Sequence, residues 1–250
     1  MSICRDLKCY PDKGRLSDVF FRLNYITRKP IYDFLKENLS GNYGTVVDFG
    51  CGDMPYRSLV GNTENYIGLD VDEAQKYGFS SEGVLYYDGK DIPLDDESVD
   101  LVYSVQVFQH IKELDYSIAE INRILKNRGE LCFTVPMCHP IHYDPYDFRR
   151  FTVYGIEEML KERGFDDIEI KGSNRPIDTI RYMRSMRMRK PFRNIYCMYI
   201  NILYVNSLKG EKRPIIVLEN FIRRILGKNK KPDESLRFPI DYLVRCKKAK

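Results

Sequence analysis

Short runs of β-branched and apolar residues alternate with helical segments along the first two thirds of the chain. Thr45 to Phe49 and Tyr66 to Leu69 are the first two runs, and further ones follow at 84–87, 99–104, 131–135 and 167–171. Parallel strands need crossover connections, which are usually helices. The alternation therefore predicts an α/β fold: a Rossmann-like, doubly wound, mostly parallel seven-stranded sheet with helices on both faces.

Three helices and a final strand complete this expectation. The periodic apolar positions predict helices over 18–38, which Pro30 interrupts, over Tyr116–Lys126 with Gly129 as its stop, and over Val153–Arg163. The best candidate for a seventh strand is Pro239 to Cys246, which follows a long stretch of basic residues.

Charge is distributed unevenly along the chain. Residues 1–170 hold 19 basic and 30 acidic side chains, whereas residues 171–250 hold 21 basic and 6 acidic ones. The overall net charge of +4 is therefore the sum of −11 in the first region and +15 in the second. A division of this kind indicates two regions with different partners.

Composition excludes several protein classes. The N-terminus lacks the apolar core of a secretory signal, and no apolar stretch reaches the roughly 20 residues of a membrane span. The seven cysteines are odd in number and form no C-x-x-C pair, which favours a reducing compartment over a disulfide framework. We therefore expect a cytoplasmic protein, with peripheral contact to an anionic membrane left open by its basic helices.

The segment after the first strand, Asp48 to Arg57, reads DFGCGDMPYR. Gly50 and Gly52 permit a tight turn and let a ligand approach bare backbone, and Asp70 follows the second strand 18 residues after Gly52. Nicotinamide cofactors carry a pyrophosphate, which carboxylates disfavour, whereas S-adenosylmethionine carries a sulfonium and an ammonium. The acids near the turn, Asp48 and Asp53, favour the second ligand.

Five segments together resemble the class I S-adenosylmethionine-dependent methyltransferases, in particular the type 11 methyltransferase-domain group. They are 46–56, 66–72, 86–111, 120–136 and 142–165. The chain differs from that group in having Met54 in place of a third loop glycine, and Gln109 where many members carry Glu before His110. The resemblance implies S-adenosylmethionine as cofactor and methyl transfer as activity.

The resemblance also implies cofactor-binding roles for residues at the ends of four strands. Those by the methionine are Asp48, Gly50, Cys51, Gly52, Tyr56 and Arg57; those by the ribose and adenine are Asp70, Val71, Asp88 and Gly89; those facing the sulfonium are Ser104, Val105 and Gln106.

The loop after the fifth strand, residues 138–151, carries the candidates for a general base. We favour His142, oriented by Asp144 or Asp147, because an unperturbed histidine titrates close to working pH. The alternative is that His142 and Asp147 only pin the loop to the sheet. No metal site is predicted, because the loop lacks a fourth ligand at a suitable spacing.

The same loop, HYDPYDFRRFT, looks most like methyltransferases that build cell-surface polysaccharides and glycolipids. The leading methyl acceptor is therefore a hydroxyl or amine of a sugar, carried on a nucleotide-sugar or a lipid-linked glycan. We expect this substrate to be anionic. An RNA methyltransferase and a non-catalytic scaffold are the alternatives, and nucleic acid is the less favoured partner.

We divide the chain into four regions: an N-terminal helical segment (1–40), the methyltransferase core (41–172), a basic, mainly helical insertion (173–238), and the final strand with a basic tail (239–250). The insertion contains an apolar stripe between Leu218 and Leu226 flanked by basic residues. It could form a lid, bind phosphate groups, lie on a membrane surface, or present only a solvated face. Its tyrosines are as compatible with core packing or a homodimer contact as with stacking against a sugar.

Overall fold

The computed structural model describes residues 25–77, 83–188, 190–208 and 234–250. Its strands are β1 (Asn42–Phe49), β2 (Asn62–Val71), β3 (Val84–Tyr87), β4 (Val99–Val105), β5 (Leu125–Pro136), β6 (Phe165–Gly172) and β7 (Asp241–Lys248). Its α-helices are α1 (Tyr25–Asn38), α2 (Leu114–Ile124), α3 (Val153–Glu162), α4 (Pro176–Met186) and α5 (Lys190–Leu208).

The seven strands form one sheet in the order β3-β2-β1-β4-β5-β7-β6. The first five run parallel in space, and β7 lies antiparallel between β5 and β6. This arrangement confirms the predicted Rossmann-like, mostly parallel fold. The strand order reverses beside β1, so the carboxyl ends of β1 and β4 flank the position where such sheets bind ligands.

Alternation along the strands produces two separate apolar layers. Val47 and Val102 face one layer, which α2 and α3 cover with Ile118, Ile121 and Leu160. The alternate residues of β1 and β4 point to the opposite side of the sheet and face the other layer. Helix α1 covers this layer with residues that include Phe34 and Leu35. All of these core side chains except Phe34 are completely buried, so both faces of the sheet are closed and only its edges can receive a ligand.

Two of the predicted boundaries are wrong. The helix expected to run to Lys126 and stop at Gly129 ends at Ile124, and β5 begins at the next residue and passes through Gly129. Leu125 is extended because it pairs with Val99 in β4. The pairing of an apolar residue with a neighbouring strand overrides the helical periodicity here. The start of the first predicted helix, 18–24, lies outside the described residues.

The connection from β1 to β2 is short and contains only one turn of 3-10 helix, Arg57–Leu59. Twelve residues separate Phe49 from Asn62. That length cannot accommodate a long helix together with the glycine turn, so the turn itself closes the crossover.

The predicted insertion, 173–238, contains α4, α5 and a short 3-10 turn at Glu234–Leu236. Its apolar stripe, 218–226, lies outside the described residues, and the insertion as a unit stays a prediction. The final strand runs from Asp241 to Lys248 rather than from 239 to 246. No helix in the described part of the chain is both long and apolar enough to cross a bilayer.

Replacing the glycine that precedes β2 tests whether the β1–β2 connection is tightly packed. A Cβ on Gly61 would lie 2.2 Å from the backbone oxygen of Gly41, so we expect Gly61→Ala to lower the free energy of unfolding by about 2 kcal/mol. Gly155→Ala in α3 is the matched control, because its nearest neighbour is a side-chain hydroxyl 3.2 Å away and alanine favours a helix. Urea denaturation followed by circular dichroism measures both, and equal losses would contradict this account.

Candidate active site

The turn after β1 exposes backbone at the carboxyl edge of the sheet. Gly50 and Gly52 have φ angles of 73° and 51°, which side chains disfavour. The amides of Gly50 and Cys51 both donate to the Leu69 carbonyl, at 2.8 and 3.2 Å. A Cβ on Gly50 would lie 2.5 Å from a methyl carbon of Val107. The turn is therefore fixed against β2, and only glycine fits its first position.

Met54 takes over the conformation that a third glycine would have. Its φ angle is 51°, in the left-handed region, and its sulfur lies over Gly68, where a Cβ would come within 2.9 Å. Cys51 is buried beside it, and burial raises the pKa of its thiol. Met54 thus adopts a backbone conformation that favours glycine, and its side chain lines the turn.

Asp70, at the end of β2, holds the glycine turn through its carboxylate. One oxygen accepts from the amide of Gly52 at 2.9 Å and the other from the amide of Val71 at 2.8 Å. Burial raises the pKa of Asp70, and the two amides partly offset that rise. Each oxygen keeps a further lone pair, which a ribose hydroxyl could use.

Asp88 and Gly89 lie at the end of β3, next to Val71. Asp88 is exposed and accepts from the amide of Lys90 at 2.9 Å. Gly89 has a φ angle of 84°, and a Cβ there would lie 3.4 Å from a methyl carbon of Val71. The predicted ribose and adenine residues are therefore neighbours along one edge.

Asp48 lies beneath the turn, on the side of the sheet that α1 covers. It is 4% exposed and accepts from the hydroxyl of Tyr66 at 2.9 Å, and that hydroxyl is 2.8 Å from the hydroxyl of Tyr103. Burial raises the pKa of Asp48 to about 7, although hydrogen bonds from both tyrosines lower it. Asp48 is therefore enclosed by protein groups and could influence a ligand in the turn only through its charge.

The remaining residues predicted near the methionine have varied surroundings. Tyr56 is buried in the layer beneath α1, and the exposed Arg57 stacks on the ring of Tyr66, with its guanidinium carbon 4.9 Å from the ring centre. Ser104 is buried, and its hydroxyl donates to the carbonyl of Phe49 at 3.0 Å. Ser104 therefore ties the end of β4 to the end of β1.

Gln106 connects the end of β4 to a second buried acid. Its φ angle is 58°, and it directly follows Val105, which pairs with Thr134 in β5. The side-chain amide of Gln106 donates to the hydroxyl of Thr134 at 3.3 Å and to Asp241 at 3.2 Å. Asp241 is the first residue of β7, and because β7 is antiparallel to β5, it lies at the same edge as the glycine turn.

His142 is held by Asp147, as one of the two sequence hypotheses required. Its Nδ1 is 3.1 Å from the Pro140 carbonyl and 3.3 Å from the Asp147 carboxylate, and these acceptors favour a proton on Nδ1. Its Nε2 then carries a free lone pair and forms no hydrogen bond with the described residues. The Arg150 guanidinium lowers the pKa of Asp147 to about 2, so this carboxylate stays ionised.

Asp144 does not share that role. It is exposed and forms no hydrogen bond or ion pair with the part of the chain that the structure describes. Its side chain therefore cannot orient His142, and the prediction that named it as an alternative to Asp147 is wrong.

The three histidines of the chain lie together above β4. The rings of His110 and His142 are 5.0 Å apart, and those of His139 and His142 are 4.9 Å apart. Gln109 lies 3.0 Å from Nε2 of His110, whose Nδ1 lies 2.7 Å from the carbonyl of Tyr146. Burial lowers the pKa of His110 and of His139, which keeps both rings neutral. His110 thus joins the end of β4 to the histidine loop.

Sequence reasoning missed Tyr66, Tyr103 and Asp241. Tyr66 and Tyr103 look like ordinary core aromatics in the sequence, and only strand register shows that they converge on Asp48. The signal for Asp241 was an acid beside an apolar run, PIDYLVRC, but its place at the site depends on the antiparallel direction of β7.

The side chains at this edge fit S-adenosylmethionine better than a pyrophosphate cofactor. Three adjacent strand ends carry carboxylates, Asp48, Asp70 and Asp88, and the turn between them offers bare backbone. Carboxylates repel phosphate but suit hydroxyl groups and a cation. The carboxylates of Asp70 and Asp88 could therefore bind the ribose and adenine, as the sequence predicts, and the turn could bind the methionine.

Comparison with known proteins agrees with this fit. Residues 47–133 match the family model described as "Methyltransferase domain". A malonyl-[acyl-carrier protein] O-methyltransferase of Calditerrivibrio nitroreducens is 27% identical over 46% of this chain and 49% of its own, and one of Methylococcus capsulatus is 31% identical over 36% of each. The chain thus matches half or less of the length of these curated relatives.

Solved structures share the fold at low identity. A chain of the complex between the Haloferax volcanii Trm112 methyltransferase activator and a putative methyltransferase has a TM-score of 0.54 and 19% identity, with 91% of both chains covered. An S-adenosylmethionine-dependent methyltransferase of Archaeoglobus fulgidus has a TM-score of 0.52 and 16% identity over 89% of this chain and 95% of its own. The family match identifies a methyltransferase domain at residues 47–133, whose cofactor is S-adenosylmethionine, and the sheet order together with the solved structures shows its Rossmann-like fold.

Proposed function

We propose that this chain transfers a methyl group from S-adenosylmethionine to a hydroxyl or amine of a sugar-containing acceptor. The observation that carries the proposal is the arrangement along one edge of the sheet. The glycine turn and Asp70 lie at the ends of β1 and β2, and the histidine loop lies beside them over β4. The candidate cofactor-binding residues and the candidate base thus lie on either side of the end of β4.

The residues that would hold the cofactor divide by strand. Asp70 would accept from the ribose hydroxyls, Asp88 would lie near the adenine, and the Gly50–Gly52 backbone would contact the methionine. When bound, S-adenosylmethionine supplies an electrophilic methyl group on a positively charged sulfur. The charge of Asp48 beneath the turn would attract that cation.

His142 would serve the acceptor side. A neutral imidazole with its proton on Nδ1 presents Nε2 as a base, and the ionised Asp147 stabilises the imidazolium that forms when Nε2 takes a proton. The side chain of His142 is 18% exposed, so an acceptor can reach it while its loop stays fixed by Arg150.

The sugar acceptor is supported by the loop sequence and by charge. Residues 171–250 carry 21 basic and 6 acidic side chains, which would suit the phosphate groups of a nucleotide-sugar or a lipid-linked glycan. The two curated relatives are named as O-methyltransferases of malonyl-[acyl-carrier protein]. We do not carry their acceptor over, because they match less than half of this chain.

Replacing Asp70 tests the cofactor site. We expect Asp70→Ala to weaken S-adenosylmethionine binding by about 10- to 100-fold, because charge-assisted hydrogen bonds to ribose are lost. Glu64→Ala, an exposed acid toward the other end of β2, is the matched control and should leave affinity unchanged. Isothermal titration calorimetry measures both, and equal affinities would place the ribose elsewhere.

The buried Asp48 makes cofactor affinity depend on pH. Its carboxyl group ionises near pH 7, and only the ionised form attracts a cation, so affinity should rise by about fivefold as the pH increases through 7. S-adenosylhomocysteine, a neutral thioether, should show a smaller rise, and Asp48→Asn should remove it. Calorimetry across this pH range measures the effect. A rise that persists in Asp48→Asn would assign the titration to another group.

Replacing His142 separates catalysis from binding. We expect His142→Ala to lower turnover by about 100-fold or more while S-adenosylmethionine affinity stays constant, because only the proton acceptor is lost. Asp144→Ala on the same loop is the control and should retain turnover. S-adenosylhomocysteine release in the presence of amino and neutral nucleotide-sugars measures this. Turnover that persists in His142→Ala would leave this histidine a role in fixing the loop.

A further inference from the structure

Asp241 is a buried acid with one oxygen that lacks a partner. The residue is 2% exposed, and its Oδ1 accepts from the amide of Gln106 at 3.2 Å. Its Oδ2 is buried and forms no hydrogen bond with the described residues. The backbone of Asp241 is fixed, because its amide donates to the hydroxyl of Ser173 at 3.0 Å and its carbonyl accepts from the Ser173 amide at 2.9 Å.

The surroundings of Asp241 connect it to the histidine loop. Its negative charge raises the pKa of Tyr182 and of Cys138, after the larger effect of burial, so both groups lie near the carboxylate. The ring of Tyr182, in α4, is 5.8 Å from that of His139, which in turn contacts His142. Asp241 and the candidate base therefore lie on the same side of β4, beyond the glycine turn.

Two other buried acids of the described chain, Asp147 and Asp178, have cationic partners. Asp147 is bound by Arg150, Asp178 by Arg175 and Arg181, and both carboxylates are 1% exposed. No ion pair reaches Asp241 from the part of the chain that the structure describes. The Arg150 guanidinium acts on it only from a distance, and its lowering of the Asp241 pKa is smaller than the rise caused by burial. Burying an unpaired charge costs several kcal/mol, which a protein recovers when a ligand brings the opposite charge.

We propose that Asp241 binds the ammonium group of the methyl acceptor, so that the substrate is an amine rather than a hydroxyl compound. The proposal rests on the proposed function and narrows it to N-methylation. His142 would first take one proton from the ammonium group, which frees the nitrogen lone pair. The nitrogen would then bond to the methyl carbon as the carbon–sulfur bond breaks, so that S-adenosylhomocysteine leaves and the methylated ammonium stays beside Asp241. An ammonium group supplies both the missing charge and up to three donors. A hydroxyl group would donate one hydrogen bond and leave the carboxylate charge uncompensated.

A protonated, purely structural Asp241 accounts less well for the contacts. Burial raises its pKa to about 7, so both forms are accessible near neutral pH. A proton on Oδ2 would find no acceptor among the described residues, because that oxygen lacks any hydrogen-bond partner there. The neutral acid would thus replace an unpaired charge by an unpaired donor, which is also costly.

Matched amine and hydroxyl probes test this proposal on the full chain saturated with S-adenosylhomocysteine. The pairs are methylammonium and methanol, ethanolammonium and ethylene glycol, and glucosamine and glucose. Ligand-observed NMR gives their dissociation constants just above pH 7, for the wild type, Asp241→Asn and Asp100→Asn. Asp100 is the control, because it is paired with Lys126 at the opposite edge of the sheet. Asp241→Ser replaces Asp241→Asn if the latter does not fold.

We expect the wild type and Asp100→Asn to prefer the amine of at least one pair by about tenfold, and Asp241→Asn to lose that preference. S-adenosylhomocysteine affinity should be equal in all three. No amine preference in the wild type, or one that survives in Asp241→Asn, would overturn the proposal. Weaker cofactor binding by Asp241→Asn would overturn it too, by assigning Asp241 to the cofactor.

Failure of the wild type to bind S-adenosylmethionine would instead contradict the proposed function. Amine binding measured without cofactor would still test the role of Asp241.

Discussion

The carboxylate of Asp70 is the interaction on which the cofactor site depends. It joins the end of β2 to the amide of Gly52, while the carbonyl of Leu69 joins the same strand end to Gly50 and Cys51. The crossover between β1 and β2 contains only a 3-10 turn, so no long helix after the turn helps to fix it. The turn geometry therefore depends on hydrogen bonds to β2, and a ligand that binds Asp70 is placed against bare backbone by the same residue.

Acids without cationic partners characterise this edge of the sheet. Asp48, Asp70 and Asp241 are largely buried, and their described partners are tyrosine hydroxyls, backbone amides and a glutamine. Burial raises the pKa of each. Arginine pairs with Asp147 in the histidine loop and with Asp178 in α4, so the absence of such a pair distinguishes the acids at the strand ends. Such an edge is destabilised when empty of cations and stabilised when positively charged ligands occupy it.

The sheet and the glycine turn could be predicted from sequence because their signals are local. TVVDF and YIGLD contain the strand, the turn and the acid within a few residues. The end of α2 could not, because Leu125 is extended through its pairing with Val99, a distant residue. Asp241 could not be assigned to the site either, because its position depends on the antiparallel direction of β7 relative to β5. These two strands are more than 100 residues apart in the chain. Whether His142 would contact Asp144 or Asp147 depended on loop packing, which sequence spacing does not determine.

The residues proposed for the acceptor lie outside the part of the chain that the family model matches. The family match covers 47–133 and contains the glycine turn, Asp70 and Gln106. His142, Tyr182 and Asp241 all follow it, on a loop, on α4 and at the start of β7. Relatives that share the matched part can therefore share the cofactor and differ in acceptor. Because Gln106 hydrogen-bonds to Asp241, the two halves meet at the end of β4, and the choice of acceptor depends on residues that the family match does not constrain.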